Sequence, residues 1–557
     1  MALTSRYKFF VMRYYQNFRN IAIASGALLL LLCSFSCRKN FLERQPLDAI
    51  SDETVWTDVP LVEAFVNEVY SDLRSGWSSY SGISVSSDES YARERDGAHL
   101  IQRGELTPSN MGFVNWPWEH YYSMITSCNI FFDHVKDEAE QALKEQDEER
   151  VDRMIGEMKF LRAYSYLRLT AFFGGVPLIT VPFKLDDDFM VKRNSYDEVM
   201  NFVVKELDEA AALLPIKYNS DNLGRITKGA ALAMKSRALL YAASPLHNPT
   251  HDKAKYQLAA DAAKAVVDLG VYSLYPDYIT AFTVPFNAEM IWVKVENNAI
   301  SRDEHIERDF YPNGSGGYAV TVPTQGQIDA YEMTNGLLPK EDPAYDPQNP
   351  YINRDPRFYE TILYNGAPWK GRKIETFLPG GMDSNQGNEG WNASYTGYYT
   401  KKYVDESING PSGSNSSSPN WPYIRYAEVL LNYAEAAYGA GDEDLAREYL
   451  NKVRSRPSVM MPPVTASGTA LYEHIKNERR VELYLEEHRF FDMRRWKTVV
   501  PANSHIMKMD ATKDGSGKIT YTVTPLMEFA LPEKMFLCPI PQNEIDKNGD
   551  LEQNPGY

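Results

Sequence analysis

Residues 157–179 read EMKFLRAYSYLRLTAFFGGVPLI, and this stretch predicts the central element of the fold. Apolar side chains recur at helical spacing from Asp152 to Phe173. These side chains are Met158, Leu161, Tyr164, Leu167 and Leu169. The pattern ends at Gly174-Gly175 and Pro177, which cannot continue a helix. We therefore predict a long, buried helix that ends in a sharp exit.

Four further segments have the same helical pattern and are rich in alanine, leucine and tyrosine. They are Lys228 to Ala243, Lys253 to Leu269, Tyr426 to Ala440 and Asp442 to Arg454. Small residues such as Ala260 and Ala263 are spaced for close contact with a neighbouring helix. Paired helices in which small residues receive aromatic ones are typical of a tetratricopeptide-like array, although a generic helical bundle has the same periodicity.

Residues 301–424 differ in composition from these helices. They are rich in Tyr, Trp, Gly, Asn, Ser and Pro, and residues 411–420 are almost entirely Gly, Ser, Asn and Pro. Such a segment predicts loops and short strands. Because binding groups usually lie on loops held by a rigid scaffold, we expect a mostly α fold with a large, loop-rich ligand-binding face of short strands.

The N-terminal 36 residues have the pattern of a secretory signal. A basic stretch precedes an apolar run from Ile21 to Leu32, which is too short to span a membrane, and Ser34-Phe35-Ser36 then leads to Cys37. Cleavage before Cys37 would create a site for acyl chains and hence a membrane tether. Cys33 is the competing acceptor, an ordinary signal peptide is the alternative, and Met12 is a second candidate start.

Composition limits the classes of partner. The formal charge is −17, and it becomes −21 without residues 1–36, which contain four basic and no acidic residues. An acidic protein of this kind is not expected to bind nucleic acid. Beyond residue 37 only Cys128 and Cys538 remain, and their spacing predicts neither a metal site nor a disulfide framework. We expect both to be buried as small apolar residues.

The segment from Asn477 to Trp496, NERRVELYLEEHRFFDMRRW, concentrates charged side chains in what the pattern predicts to be one helix. Glu478, Glu482 and Glu486 stack at four-residue steps, so this face needs basic partners, either local or from a neighbouring helix. A glycosidase carboxylate pair or a metal site at His488 are the catalytic alternatives. Neither the HExxH motif nor a nucleophile accompanies them, which favours a structural ion lattice.

The same segment resembles the signature of the SusD/RagB family of outer-membrane nutrient-binding lipoproteins, approximately N-x-R-x-x-E-L-x-x-E-x-x-R-x-x-D-x-x-R-W. Residues that fit it in register are Asn477, Arg479, Glu482, Leu483, Glu486, Arg489, Asp492, Arg495 and Trp496. The central helix with its Gly-Gly-Val-Pro exit, the segments GRITKGAALAMKSRALLYAASP and YIRYAEVLLNYAEAAYGAGD, and the terminal CPIPQNEIDKNGDLEQNPGY also resemble the family.

This resemblance implies a function. Family members are lipid-anchored at the cell surface of Bacteroidota, where they capture oligosaccharides, or in some cases peptides, and pass them to a SusC-like TonB-dependent barrel. They are not enzymes. The resemblance also implies three regions: the signal peptide 1–36, an N-terminal region 37–300 with the helical repeats, and a C-terminal region 301–557. No cofactor is expected, and no ligand pattern for a structural calcium ion can be read from the residues.

Two regions match the family's ligand-binding segments by position. One surrounds Ser87-Asp88-Glu89, which resembles the family's T-D-E, and the other precedes the helix that begins near Gln325. The family's aromatic positions after T-D-E hold Ala92 and Glu94 here, so the ligand is expected to differ from starch. The resulting candidates, with the aromatic residues of the glycine-rich segment added, are Trp77, Tyr80, Tyr91, Arg93, Arg95, Phe310, Tyr311, Tyr318, Trp391 and Tyr395.

Flat aromatic rings with charged or amide groups beside them are suited to a sugar, which has an apolar face and a hydroxyl rim. Trp116 and Trp118 are aromatic as well, but they lead into a helix and are expected to pack in the core. A glycoside hydrolase and a tetratricopeptide adaptor for protein partners are the alternatives from other functional classes. Turnover of a polysaccharide would identify the first, and exclusive binding of peptides the second.

Overall fold

The computed structural model describes residues 52–76, 83–93, 97–296, 306–411, 415–417 and 419–557. The chain divides into two compact units, residues 1–62 and residues 63–557. In the first unit, the described part comprises a short helix, α1 (Asp52–Val55), and the beginning of α2 (Val59–Ser71). The remaining elements belong to the second unit. The predicted division of the mature chain at residue 300 stays a prediction.

Helices of the second unit follow in chain order. They are α3 (Ala98–Gln102), α4 (Trp116–His134), α5 (Asp137–Phe173), α6 (Tyr196–Leu213), α7 (Lys228–Ala243), α8 (Lys253–Asp268), α9 (Ile306–Phe310), α10 (Gln325–Ala330), α11 (Pro356–Thr361), α12 (Tyr426–Ala440), α13 (Glu443–Arg454), α14 (Gly468–Glu482), α15 (His488–Arg495) and α16 (Gln542–Lys547).

The strands are short except for one hairpin. They are β1 (Ser90–Ala92), β2 (Met290–Lys294), β3 (Thr321–Pro323), β4 (Ile362–Leu363), β5 (Pro368–Trp369), β6 (Arg372–Lys373), β7 (Tyr399–Thr400), β8 (Trp421–Arg425), β9 (Val500–Lys513) and β10 (Ile519–Leu531). Each pairs antiparallel with one partner: β1 with β3, β2 with β8, β4 with β7, β5 with β6, and β9 with β10.

The long helices form a continuous array. Helix α4 packs on α5, α5 on α6, α6 on α7, and α7 on α8; α8 then packs on α12, and α12 on α13. Gly439 of α12 illustrates why small residues are needed, because a Cβ atom there would overlap the ring of Tyr256 on α8. The expected mostly α fold with a helical-repeat scaffold is confirmed.

Local signals explain where these helices begin and end. Ser195 and Glu198 form a reciprocal capping box at the start of α6. The hydroxyl of Thr227 accepts a hydrogen bond from the Ala230 amide at the start of α7. Gly441, in the left-handed conformation with φ 100°, ends α12. The four shorter predicted helices therefore match α7, α8, α12 and α13 to within one residue.

The central helix α5 is longer than its apolar pattern predicts. It begins at Asp137, and Asp147 interrupts the helical geometry with φ −161° and ψ 87°. The first part, before Asp147, is mostly polar and exposed, so it has no apolar periodicity to read. From Val151 onward nearly every residue is buried, and the helix ends at Gly174 with φ 74° as expected.

A buried ion lattice lies beneath the segment that resembles the family signature. Its members, each no more than 6% exposed, are Glu289, Arg357, Lys402, Arg425, Arg454, Arg456, Glu478, Glu482 and Glu486. Glu482 is the hub, since it accepts from Arg357 (2.8 Å), Arg425 (2.7 Å) and Arg456 (2.7 Å). Burial alone would raise the pKa of Glu482, but the three guanidinium groups outweigh it and hold that pKa well below its ordinary value.

The prediction of one helix over residues 477–496 is wrong. Helix α14 ends at Glu482 and α15 begins at His488, with Leu485 (φ 58°) and Glu487 (φ 64°) in the left-handed region between them. This break directs Glu486 toward Lys402 (2.7 Å) and Arg425 (2.7 Å). The basic partners of the glutamates therefore come from distant segments of the chain.

Cys128 and Cys538 are both free and fully buried, as expected of small apolar residues. Trp118 is also buried and packs edge-on against Phe173, with 5.1 Å between ring centroids. Within the described ranges, no helix combines the length and the apolar character needed to cross a bilayer.

Candidate functional site

Three short strands hold the candidate residues side by side. Strand β1 pairs with β3 so that Tyr91 lies opposite Val322. Strand β7 is joined to β3 by the hydroxyl of Thr400, which donates to the carbonyl of Thr321 (2.8 Å). The chain around residue 91, the segment just before β3 and the loop just before β7 therefore meet at one place.

Four aromatic residues from these segments form what we call the aromatic face: Tyr91, Tyr318, Trp391 and Tyr395. The ring centroids of Tyr91 and Tyr395 are 5.9 Å apart, and those of Tyr318 and Trp391 are 5.8 Å apart. Trp391 is 65% exposed, Tyr395 48% and Tyr318 36%, whereas Tyr91 is buried. Three large rings thus remain at least partly exposed to solvent.

The aromatic face borders a cavity of about 730 Å³, which we call the site cavity. Its lining combines rings, hydroxyl and amide groups, and a few charges. The lining includes the side chains of Arg93, Thr376, Asp383, Ser384, Asn385, Trp391, Ser394, Tyr395, Lys508, Asp510 and Thr512. Such a cavity is within the size range of small-molecule binding sites.

One wall of the site cavity is the hairpin of β9 and β10. The amide of Met509 donates to the carbonyl of Thr396 (2.9 Å), and Leu378 forms a bridge to Thr512. Gly397 permits this approach, since its φ is 82° and a Cβ atom there would collide with the backbone oxygen of Met509. The hairpin is therefore held directly against the loop that carries Trp391 and Tyr395.

The opposite wall is the loop of residues 381–390, which Asn313 holds in place. The Asn313 side chain is fully buried and donates to the carbonyls of Asn388 (2.7 Å) and Ser384 (3.3 Å). In turn its amide oxygen accepts from the hydroxyl of Tyr399 (2.6 Å). This glycine-rich stretch is thus tied to the scaffold by specific buried hydrogen bonds.

Most charges at the site cavity are paired. Asp383 is buried and accepts two hydrogen bonds from Arg372 (2.6 and 2.7 Å), and these hydrogen bonds raise the pKa of Arg372. Lys508 and Asp510 pair with each other at 2.6 Å. The guanidinium of Arg93 lies 5.2 Å from the centroid of the Tyr395 ring, a cation–π geometry.

A partly buried ion pair fixes the strand that carries Tyr91. Asp88 accepts from Arg489 of α15 at 2.6 and 2.8 Å, and Arg480 of α14 lies 3.2 Å away. Burial alone would raise the pKa of Asp88, but the two arginines hold it well below its ordinary value. At the adjacent Glu89, burial dominates and raises the pKa to about 8.

The structure brings five of the ten ligand-site candidates together: Tyr91, Arg93, Tyr318, Trp391 and Tyr395. Tyr91 is among them but buried, and Phe310 and Tyr311 are buried as well, so none of these three is an open ring platform and this part of the prediction requires correction. Phe310 is in a core cluster, and Tyr311 is fully buried with its ring edge-on to Trp369. The hydroxyl of Tyr311 donates to the Asp405 carbonyl.

Trp77, Tyr80 and Arg95 lie outside the described residues, as does the expected lipidation site Cys37.

The sequence did not predict several residues of the site cavity, among them Asn385, Lys508 and Asp510. The hairpin signal was present: ITYTVT alternates polar and apolar residues after the turn residues DGSG (514–517). No local signal connects this hairpin to the loop before β7, because the contact is made in tertiary structure.

The described residues contain no cluster of three or more His, Cys, Asp or Glu side chains that could hold a metal ion. His488, considered above as a metal ligand, is buried, and burial together with neighbouring arginines lowers its pKa well below the ordinary value. Its ring nitrogen lies 3.6 Å from Glu428. This arrangement is a packed core contact.

Comparison with known proteins adds two family matches. Residues 288–557 match the sequence model described as the SusD family. Residues 41–240 match a second model, described as "Starch-binding associating with outer membrane". The two matches do not overlap and together cover most of the chain.

Individual relatives agree. A SusD-like protein from Bacteroides ovatus is 24% identical over 88% of this chain and 84% of its own length. The crystal structure of a SusD-like protein from Bacteroides fragilis is 29% identical with a TM-score of 0.76, covering 92% of this chain and all of the other. A second, a SusD-like carbohydrate-binding protein from the same species, is 26% identical with a TM-score of 0.74, covering 90% of this chain and all of the other.

Proposed function

Because the chain belongs to the SusD/RagB family, we propose that it captures oligosaccharides at the outer membrane without altering them chemically. It then delivers them to a SusC-like TonB-dependent barrel. The observation that carries this proposal is the aromatic face beside the site cavity. Exposed rings next to hydroxyl and amide groups are what a sugar requires, since one side of the sugar ring is apolar and its rim is polar.

The lining of the site cavity supports a sugar ligand. Trp391 and Tyr395 offer exposed rings, while Asn385 and Thr512 supply exposed neutral hydrogen-bonding groups at the same cavity. The related SusD-like carbohydrate-binding protein of B. fragilis points in the same direction.

The carboxylates of the site cavity favour binding over hydrolysis. A glycoside hydrolase needs one carboxyl group to donate a proton and a second to act as nucleophile or base. Here Asp383 is buried in a bidentate pair with Arg372, and Asp510 is paired with Lys508. Both carboxylates are therefore engaged in ion pairs within the protein, an arrangement that favours binding over hydrolysis.

The location follows from the second family description, which refers to association with the outer membrane. The lipid anchor at Cys37 and display at the cell surface are parts of the proposal. So is the barrel partner, which we expect to co-purify with the protein in mild detergent from its native membrane. Isolation as a lone lipoprotein, under conditions that preserve complexes of this kind, would count against the partner.

The binding role is tested by substituting the most exposed ring of the aromatic face. We expect Trp391→Ala to weaken retention of the best-bound polysaccharide, in affinity electrophoresis against a panel, by about tenfold or more, equivalent to about 1.4 kcal/mol. Phe189→Ala is the matched control, because Phe189 is 53% exposed but does not line the site cavity. Polysaccharide turnover, or binding of peptides with no glycan retained, would contradict the proposal.

A further inference from the structure

The charge balance of the site cavity points to the class of oligosaccharide. Two of its charge pairs are internally neutral, Arg372 with Asp383 and Lys508 with Asp510. Asp383 is not accessible to a ligand, because its side chain is completely buried, and its oxygens also accept from the Glu375 amide (2.9 Å). Neither pair therefore presents a net charge to a ligand.

Arg93 is different. It lines the site cavity and is partly exposed, and among the residues that the structure describes it has no carboxylate partner. Its contact is with the ring of Tyr395, which leaves the planar N–H groups of the guanidinium free to donate.

The other arginine beside the aromatic face, Arg308, differs from Arg93 because it has a carboxylate partner. Arg308 lies over Tyr318 at 5.5 Å in a similar cation–π geometry. Arg308, however, is paired with Asp309 at 2.9 Å. Two arginines therefore stack on the exposed tyrosines. Within the described part of the chain, only Arg93 of these two lacks a carboxylate partner.

A guanidinium beside a stacking ring matches one chemical group in particular. A carboxylate accepts two parallel hydrogen bonds from a guanidinium, and such charge-assisted pairs are roughly twice as strong as neutral hydrogen bonds. A uronic acid is a sugar ring that carries a carboxylate at its edge. Its ring can lie on Tyr395 while the carboxylate reaches Arg93.

Resting on the proposed glycan-capturing function, we propose that the ligand is an acidic oligosaccharide, with a uronic acid carboxylate bound by Arg93 and its ring on Tyr395. Neutral hydroxyls of the same chain would meet Ser394 and Asn385, which also line the cavity.

The overall charge of −17 does not oppose this assignment. At physiological ionic strength the screening length is about 8 Å, so distant surface carboxylates contribute little at the site cavity. The local balance, in which Arg93 has no carboxylate partner among the described residues, decides the interaction with a bound carboxylate.

The test uses uronic acid polysaccharides and the same polysaccharides after chemical reduction of the carboxyl groups to alcohols. The two members of each pair have the same glycosidic linkages and differ only in the negative charge of the carboxyl groups. We expect affinity electrophoresis and calorimetry with the full mature protein to give at least tenfold tighter binding of one acidic chain than of its reduced form. Arg93→Gln should remove this preference, so that the variant binds the acidic chain and its reduced form with equal affinity.

Lys340→Gln is the control, since it removes one positive charge at an exposed position outside the cavity lining. Equal binding of the acidic and reduced chains, equal losses for both in Arg93→Gln, or retention of sulfated chains alone would overturn the acidic-ligand proposal. Glycan binding that still depends on Trp391 would then leave the proposed function standing. Retention of no glycan at all would overturn both.

Discussion

Glu482 shows how much a single side chain can organise. Its carboxylate accepts from three arginines that come from α11, β8 and the segment after α13. Two of these, Arg425 and Arg456, also share Glu289. Removing one charge from such a buried network leaves the remaining charges uncompensated.

We therefore expect Glu482→Gln to lower the free energy of unfolding by roughly 3–5 kcal/mol, measured by urea denaturation. The matched control is Glu448→Gln, which breaks an exposed pair with Lys452 on α13 and should cost less than about 1 kcal/mol. Similar losses of unfolding free energy in the two variants would mean that the buried lattice contributes no more than an exposed ion pair.

Glu89 makes a prediction about pH. Burial raises its pKa from 4.5 to about 8, so between these values the folded chain keeps a proton that the unfolded chain has released. The stability from this group is complete below pH 4.5 and declines as the pH rises toward 8.

In Glu89→Gln, which mimics the protonated form, that decline should be absent. Its unfolding free energy relative to the wild type should therefore increase between pH 4.5 and 8, by roughly 1.4 kcal/mol for each unit of pKa difference. Urea denaturation across this range measures the effect. Parallel stability curves for the two proteins would show that Glu89 ionises normally.

At the scale of elements, the hairpin of β9 and β10 depends on one glycine of another segment. Gly397→Ala combines a left-handed φ of 82° with a collision against the backbone oxygen of Met509. We expect a loss of about 1–3 kcal/mol in unfolding free energy and weaker polysaccharide retention, because the wall of the site cavity moves.

The control is Gly515→Ala in the hairpin turn, where no atom lies within 4 Å of the added Cβ. It should leave both stability and polysaccharide retention close to those of the wild type. Unchanged retention in Gly397→Ala would mean that the hairpin does not shape the site.

Elements were predictable from the sequence where their signals are local. Thr227, Pro245 and Gly441 mark helix ends within a few residues of the helices they delimit, so α7 and α12 could be read directly. The short strands could not, since β1 finds its partner more than 200 residues away. The break after Glu482 was missed because the four-residue spacing of the glutamates is also that of an unbroken helix.

At the scale of the whole molecule, composition predicted part of the site. Trp391 and Tyr395 lie in a glycine-rich stretch, and their exposure agrees with that context. Tyr311 lies in similar sequence but is buried against Trp369, a contact that only the folded chain determines. No sequence signal predicted Lys508 and Asp510 of the hairpin as site residues, because they reach the site cavity through tertiary contacts alone.

The proposed lipid anchor at Cys37 concerns the whole molecule. We expect Cys37→Ala to move the protein from the detergent phase to the aqueous phase in a Triton X-114 partition, since the acyl chains would be missing. Cys33→Ala is the control and should stay in the detergent phase. The reverse behaviour of the two variants would assign the anchor to Cys33.

The ion lattice also has a consequence for the order in which the chain folds. Its acidic and basic members are spread from Glu289 to Glu486, so no fragment ending before residue 482 can complete it. A partly assembled lattice would bury unpaired arginines, which is unfavourable. We therefore expect the lattice to close late, and a chain with such long-range contacts to fold slowly and cooperatively.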